Sequence, residues 1–164
     1  MRNTIALLSM MVAFILGCTD TYAQDKDGNQ FGFMTLLEKQ TSTDGIYYDI
    51  KTGPILTEAL SAAGFRLESS RKIDRGYMSV ERNIYTNGDI TILQELPYSE
   101  VSITFNDPSL IEGFVNSALN NGWEGWTQDS SIDGGSQYEN YDNNFYFTVE
   151  DNNIVVGTLD MGGD

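Results

Sequence analysis

An alternating apolar strand followed by an amphipathic helix occurs twice in this sequence, 55 residues apart. In the first copy Ile46, Tyr48 and Ile50 alternate as a half-buried strand does. Ile55, Leu56, Ala59, Leu60 and Ala63 then fall on one helical face. In the second, Val101, Ile103 and Phe105 alternate, and Leu110, Ile111, Phe114, Val115, Ala118 and Leu119 follow at helical spacing. Thr52 and Asp107 stand where N-caps belong, Pro54 and Pro108 suit a first turn, and Gly64 and Gly122 suit helix ends. The copies share phase rather than identity.

Strand signals follow each helix. After the first they cover Phe65–Ser70, Tyr77–Tyr85 and Ile90–Leu96, with Asn87-Gly88 as a type I′ hairpin turn because both residues tolerate positive φ. After the second they cover Trp123–Thr127, Tyr141–Val149 and Ile154–Leu159, with a glycine-rich loop at 129–136 and a turn at Asp151-Asn152-Asn153. We therefore expect an α+β fold of two tandem β-α-β-β-β units, residues 45–97 and 98–164, mostly antiparallel sheet with two helices on one face. Residues 24–44 read as a lead-in, within which Phe31–Gln40 fits a strand or a short helix equally.

The start of the chain has another purpose. Arg2 precedes an apolar run from Ile5 to Gly17, and these 13 residues fall short of the roughly 20 needed to span a bilayer as a helix. Such a segment is the pattern of a secretory leader, residues 1–23. Two processing readings are open. Thr21-Tyr22-Ala23 suits a cut ahead of Gln24. Ile15-Leu16-Gly17-Cys18 resembles a bacterial lipobox in which Cys18 carries lipid and becomes the mature end, although Leu16 is unusual there. The expected location is the periplasm or the exterior, or the outer membrane through a lipid on Cys18.

Cutting after Ala23 leaves 141 residues, enough for an ordinary core, and Cys18 is the only cysteine. Stability then rests on burial and hydrogen bonding, not on disulfides. The net charge is −15, and it is unevenly spread. Arg82 is the last basic residue, and fourteen acids follow it without one Lys or Arg. Residues 24–82, by contrast, hold eight bases and nine acids. An acidic field of this kind repels nucleic acid and anionic membrane and attracts basic proteins. The basic group Arg66, Arg71, Lys72, Arg75 and Arg82 is expected to face the acidic second unit and help dock it.

The available chemistry is narrow. Histidine is absent and no cysteine lies beyond Cys18, which excludes Ser-His-Asp and Cys-His catalysis and His/Cys zinc sites in the mature chain. No phosphate-cradling glycine loop or nucleophile elbow occurs. Asp25-Lys26-Asp27-Gly28-Asn29 begins like a calcium loop, but its glycine comes too early and Leu36 sits where the closing carboxylate belongs. The chain is therefore expected to be no enzyme and to need no cofactor or resident metal. Its candidate binding residues surround the glycine-rich loop: Trp126, Asp129, Asp133, Tyr138, Glu139, Tyr141 and Asp142. The four carboxylates of that set would meet a cation if the loop folded back, although a solvated acidic loop is the simpler reading. The expected partner is a basic protein, in the manner of an inhibitor, immunity or adaptor module. The alternatives are a glycan stacked on Trp126, Tyr138 and Tyr141, or a structural envelope role.

Overall fold

The computed structural model describes residues 23–24, 30–129 and 135–159; Cys18 and Asp133 of the candidate set lie outside them. The elements run β1 (Ala23–Gln24), β2 (Gln30–Phe31), a 3-10 turn (Phe33–Leu36), β3 (Leu37–Ser42), β4 (Gly45–Ile50) and α1 (Gly53–Ala62). They continue with β5 (Arg66–Asp74), β6 (Ser79–Thr86), β7 (Ile90–Leu96), β8 (Glu100–Phe105) and α2 (Ser109–Leu119). The chain ends with β9 (Thr127–Asp129), β10 (Gly135–Asn140), β11 (Phe145–Glu150) and β12 (Asn153–Thr158). The class is α+β, with two helices against a mostly antiparallel sheet, as the sequence implies.

Eight strands form one sheet in the order β5-β6-β7-β8-β12-β11-β10-β9. Each helix thus precedes a four-stranded meander, and the two meanders join edge to edge through their last strands, β8 and β12. The strand grouping differs from the expected β-α-β-β-β order in two places: four strands, β9 to β12, follow α2 instead of three, and β4 lies outside the large sheet. β4 pairs only with β3, in a hairpin outside the large sheet, whereas its sequence counterpart β8 lies at the sheet's centre. Alternation tells which side of a strand is apolar, but not which neighbour it meets. Ile50 at the base of the hairpin is buried, Tyr48 is half-buried, and Ile46 near the tip is 59% exposed. The hairpin base is anchored: the Lys51 amide donates to the Leu36 carbonyl at 2.8 Å, and Lys51 Nζ donates to the Thr35 carbonyl at 2.9 Å. Burial holds the Lys51 pKa below the usual lysine range, against the opposing charge of Glu38.

One core lies between the helices and one face of the sheet. Leu56 and Leu60 of α1 with Ala63 just beyond its end, and Phe114 and Ala118 of α2, meet Tyr85, Ile92, Ile103, Phe147 and Ile154 from the strands. The lead-in contributes to this core instead of merely preceding it, since Phe31, Phe33, Leu36 and Leu37 are all buried. Its undecided segment resolves into the 3-10 turn followed by β3. Phe33 sits among the rings of Phe114, Trp123, Trp126, Phe145 and Phe147, with centroids 5.6–6.3 Å away. Its amide donates to Ser117 Oγ at 2.9 Å, and that hydroxyl donates to the Phe114 carbonyl at 2.7 Å. A buried serine is thereby satisfied on both sides.

Local signals were realised with changes of detail. Asp107 Oδ1 accepts from the Ser109 amide at 3.0 Å, although Pro108 and not Asp107 holds the N-cap position of α2. Gly64 (φ 87°) follows the α1 C-cap in the left-handed region, whereas α2 already ends at Asn120, two residues before Gly122 (φ 88°). Thr52 has extended geometry at the start of α1 but makes no side-chain cap bond. The Asn87-Gly88 hairpin forms, yet only Gly88 takes positive φ, so the turn is not type I′. Asn87 acts instead through its side chain, whose Oδ1 accepts from the amides of Asp89 (3.0 Å) and Ile90 (2.8 Å).

Candidate functional site

Residues paired across an antiparallel ladder share a face, so the register assigns every strand residue to one side of the sheet. The helices cover the side bearing Tyr85, Ile92, Ile103, Ile154 and Phe147. Among the described residues, no helix covers the other. Across that bare side run Arg71 and Arg82, then Leu93 and Glu95, then Glu100, Ser102 and Thr104. Asn153, Val155 and Gly157 follow on β12, then Tyr146, Thr148 and Glu150, then Gln137 and Glu139, and finally Thr127 and Asp129.

This register sorts the charge. The acids carried by strands after Arg82 are Glu95, Glu100, Asp129, Glu139 and Glu150, and all five lie on the bare face. None is on the covered face, where desolvating a carboxylate would be costly. The bases lie at the far edge. Arg66, Arg71 and Lys72 belong to β5, the outermost strand, and Arg82 to β6 beside it. The expectation that this cluster docks the two units is therefore overturned. The seam between them is β8 against β12, where Val101 faces Val156, Ser102 faces Val155, Ile103 faces Ile154 and Thr104 faces Asn153. Glu100 opposite Gly157 completes this ladder, and no Lys or Arg belongs to it. The bases serve Glu95 instead: Arg82 reaches it through Nε at 2.6 Å and Nη2 at 2.5 Å, and Arg75 through Nη2 at 3.0 Å.

Beyond Glu95 the face carries no Lys or Arg from its own strands, and tyrosine hydroxyls hold two of its glutamates. Tyr146 donates to Glu100 Oε1. Tyr141 donates to Glu139 Oε2 at 2.6 Å, while Gln137 Nε2 donates to Glu139 Oε1 at 2.5 Å. Burial, and then the Glu100 carboxylate beside it, push the Tyr146 pKa far above the tyrosine range. Tyr141 is pushed up too, by its hydrogen bond to Glu139 first and then by that group's charge. Because the Tyr146 pKa is raised in the folded protein, its contribution is present below the unfolded value of about 10 and is lost as pH rises towards the folded value. Urea unfolding across the alkaline range is expected to show stability falling less steeply in Tyr146→Phe than in the parent chain. Identical slopes would remove Tyr146 from the explanation.

The sequence-derived binding set does not assemble as one surface. Asp129 and Glu139 are near neighbours on the bare face, and exposed Tyr141 joins Glu139 from the turn after β10. Asp142 lies in the same turn, on the side of Gly125. Tyr138 points the opposite way, stacked on Phe147 at 4.7 Å, and Trp126 packs on Phe33 and Phe147. These two aromatics belong to the margin of the core, so Trp126, Tyr138 and Tyr141 share no platform. The Trp126 indole N–H finds no hydrogen-bond partner among the described residues. Among the described residues, no three Asp, Glu, Cys or His side chains gather as a cation site would require.

Concavities among the described residues include two of note. A groove of about 830 Å³ lies on the helix side, between α1 and strands β5 and β6, lined by Pro54, Thr57, Glu58, Leu67, Glu81 and Asn83 among others. Its polar groups largely satisfy each other: Thr57 meets the Tyr85 hydroxyl at 3.1 Å, and Asn83 donates to Glu81 at 3.1 Å. The second, about 210 Å³, opens on the bare face and is lined by Leu93, Glu95, Tyr98, Glu100, Ser102 and Val155. Sequence reasoning missed both the pocket and Glu100, because only the register brings β7, β8 and β12 side by side. No protein-family model, curated protein or solved structure matches this chain.

Proposed function

We propose that the chain is an exported, non-enzymatic binding protein whose acidic half engages a basic protein partner through the bare face of the sheet. The observation that carries this reading is the convergence of the strand carboxylates after Arg82 on the side no helix covers. Eight strands give a face roughly 34 Å wide and about 20 Å high, comparable with one side of a standard protein interface. Beyond Glu95 that face carries acids and no bases, and such a field accelerates encounter with an oppositely charged partner and is screened by salt.

The test is capture of basic proteins from periplasmic or extracellular fractions, followed by association kinetics on the captured partner. Neutralising Glu100, Glu139 and Glu150 together as glutamines is expected to slow association about tenfold at low salt. An equal charge change on other surfaces, through Glu38→Gln, Asp49→Asn and Glu58→Gln, is expected to leave most of the rate intact. Equal slowing by both triples, or binding indifferent to salt, would overturn the reading.

The export reading has its own check. Ala23 pairs with Phe31 in the β1–β2 ladder. A cut after Ala23 leaves Gln24 opposite Gln30, whereas lipidation of Cys18 keeps both pairs. Intact mass of the mature protein separates the two processing readings, a start at Gln24 from an acylated start at Cys18. A species beginning at Gln24 sinks the lipid anchor, and an unprocessed Met1 start sinks export itself.

A further inference from the structure

The pocket on the bare face has a composition that selects one guest. Its volume, about 210 Å³, is below the range of cofactor and drug-sized sites, so it suits a single long side chain. Leu93 and Val155 give its lining apolar surface, Tyr98 an aromatic ring, and Glu100 and Ser102 side-chain oxygens, the Ser102 hydroxyl donating to Asn153 Oδ1 at 3.0 Å. Glu95 is already neutralised by Arg75 and Arg82. Glu100 makes no ion pair among the described residues; its Oε1 accepts from Tyr146, and nothing occupies Oε2 in the same way.

We infer that this pocket is the anchor for an arginine side chain of the basic partner, an inference that rests on the proposed function. An arginine would lay its aliphatic stem over Leu93 and Val155, as long cationic side chains do on apolar surface. Its planar guanidinium would stack on the Tyr98 ring and donate to the Glu100 carboxylate. Lysine has the stem and the charge but not the plane, so it is the poorer guest. The protein already displays this chemistry next door, where Arg82 places both Nε and Nη2 on Glu95 Oε1. Arginine is also among the residue types that dominate interface energetics.

The experiment is an NMR titration of the isotope-labelled full chain with Nα-acetyl-arginine amide, repeated with the lysine analogue and with the neutral isostere citrulline. Arginine is expected to shift the signals of Leu93, Ser102 and Val155, saturating on the order of millimolar, as suits so small a probe. Citrulline is expected to produce no such shifts, and Glu100→Gln to weaken arginine about tenfold or more. Glu58→Gln, an equal charge change on α1, is expected to leave the titration unaltered. Equal binding of citrulline, indifference to Glu100→Gln, or shifts centred on Asp129 and Glu139 would each overturn the pocket assignment. The two readings fail separately. Salt-sensitive capture of basic proteins without arginine in the pocket removes only the anchor. Arginine in the pocket without any basic protein captured removes only the proposed function.

Discussion

Phe33→Ala is expected to lower the stability of this protein by about 3–5 kcal/mol, the range for emptying a large aromatic site in a core. The side chain is fully buried, and five aromatic rings contact it, drawn from α2, β11 and the segment that follows α2. A cavity there cannot collapse easily, because its walls belong to elements fixed by the sheet ladder and by the Ser117 hydrogen bonds. Against a total of roughly 5–15 kcal/mol for an ordinary domain, the loss is large enough to be seen as a clear fall in urea midpoint. Phe33→Leu keeps most of the volume and is expected to cost much less. A cost for the alanine variant below about 0.5 kcal/mol, the level of a surface change, would show that the lead-in does not plug the core.

Gly157→Ala is expected to cost about 1–3 kcal/mol although it adds a single methyl group. Gly157 lies directly opposite Tyr146 on the bare face, and the tyrosine ring rests across it. A Cβ at this position falls 2.6 Å from Cε1 of the ring and 2.7 Å from its hydroxyl oxygen. The backbone here is ordinary strand, so the penalty comes from the ring and not from φ. Removing the ring should therefore remove the penalty: in a Tyr146→Ala background, Gly157→Ala is expected to be nearly neutral. The double-mutant cycle then shows a coupling of about 0.5–3 kcal/mol, as residues in direct contact do. Strict additivity would mean that the ring does not lie over the glycine. The same substitution displaces the Tyr146 hydroxyl from Glu100, so it connects packing to the proposed binding face.

The glycine, the tyrosine and the glutamate are far apart in the chain, which illustrates what was and was not legible beforehand. Residues whose signal is local were read correctly. The faces of α1 and α2, the glycine that follows α1 and the position of the Asn87-Gly88 hairpin follow from spacing and turn chemistry within a few residues. Ile55 is the exception on its helix face: it was expected to be apolar-side, and 47% of it is exposed.

The rest needed neighbours distant in sequence. The sequence puts only the first two residues of β10 in the glycine-rich loop and gives 137–140 no element, because Gly135–Asn140 has one apolar side chain, Tyr138, and its other positions are polar whichever way they point. Tyr141–Asn144, read as strand, is the turn between β10 and β11, with Asn144 at φ 61°. By itself the sequence determined the α+β class, the two amphipathic helices and a charge imbalance confined to the residues after Arg82. Only the tertiary structure decided that β8 enters the sheet while β4 leaves it, that Trp126 and Tyr138 turn inward, and that the strand acids share one uncovered face. Periodicity records the two sides of a strand, but pairing and register are set by backbone hydrogen bonds and by packing against the helices.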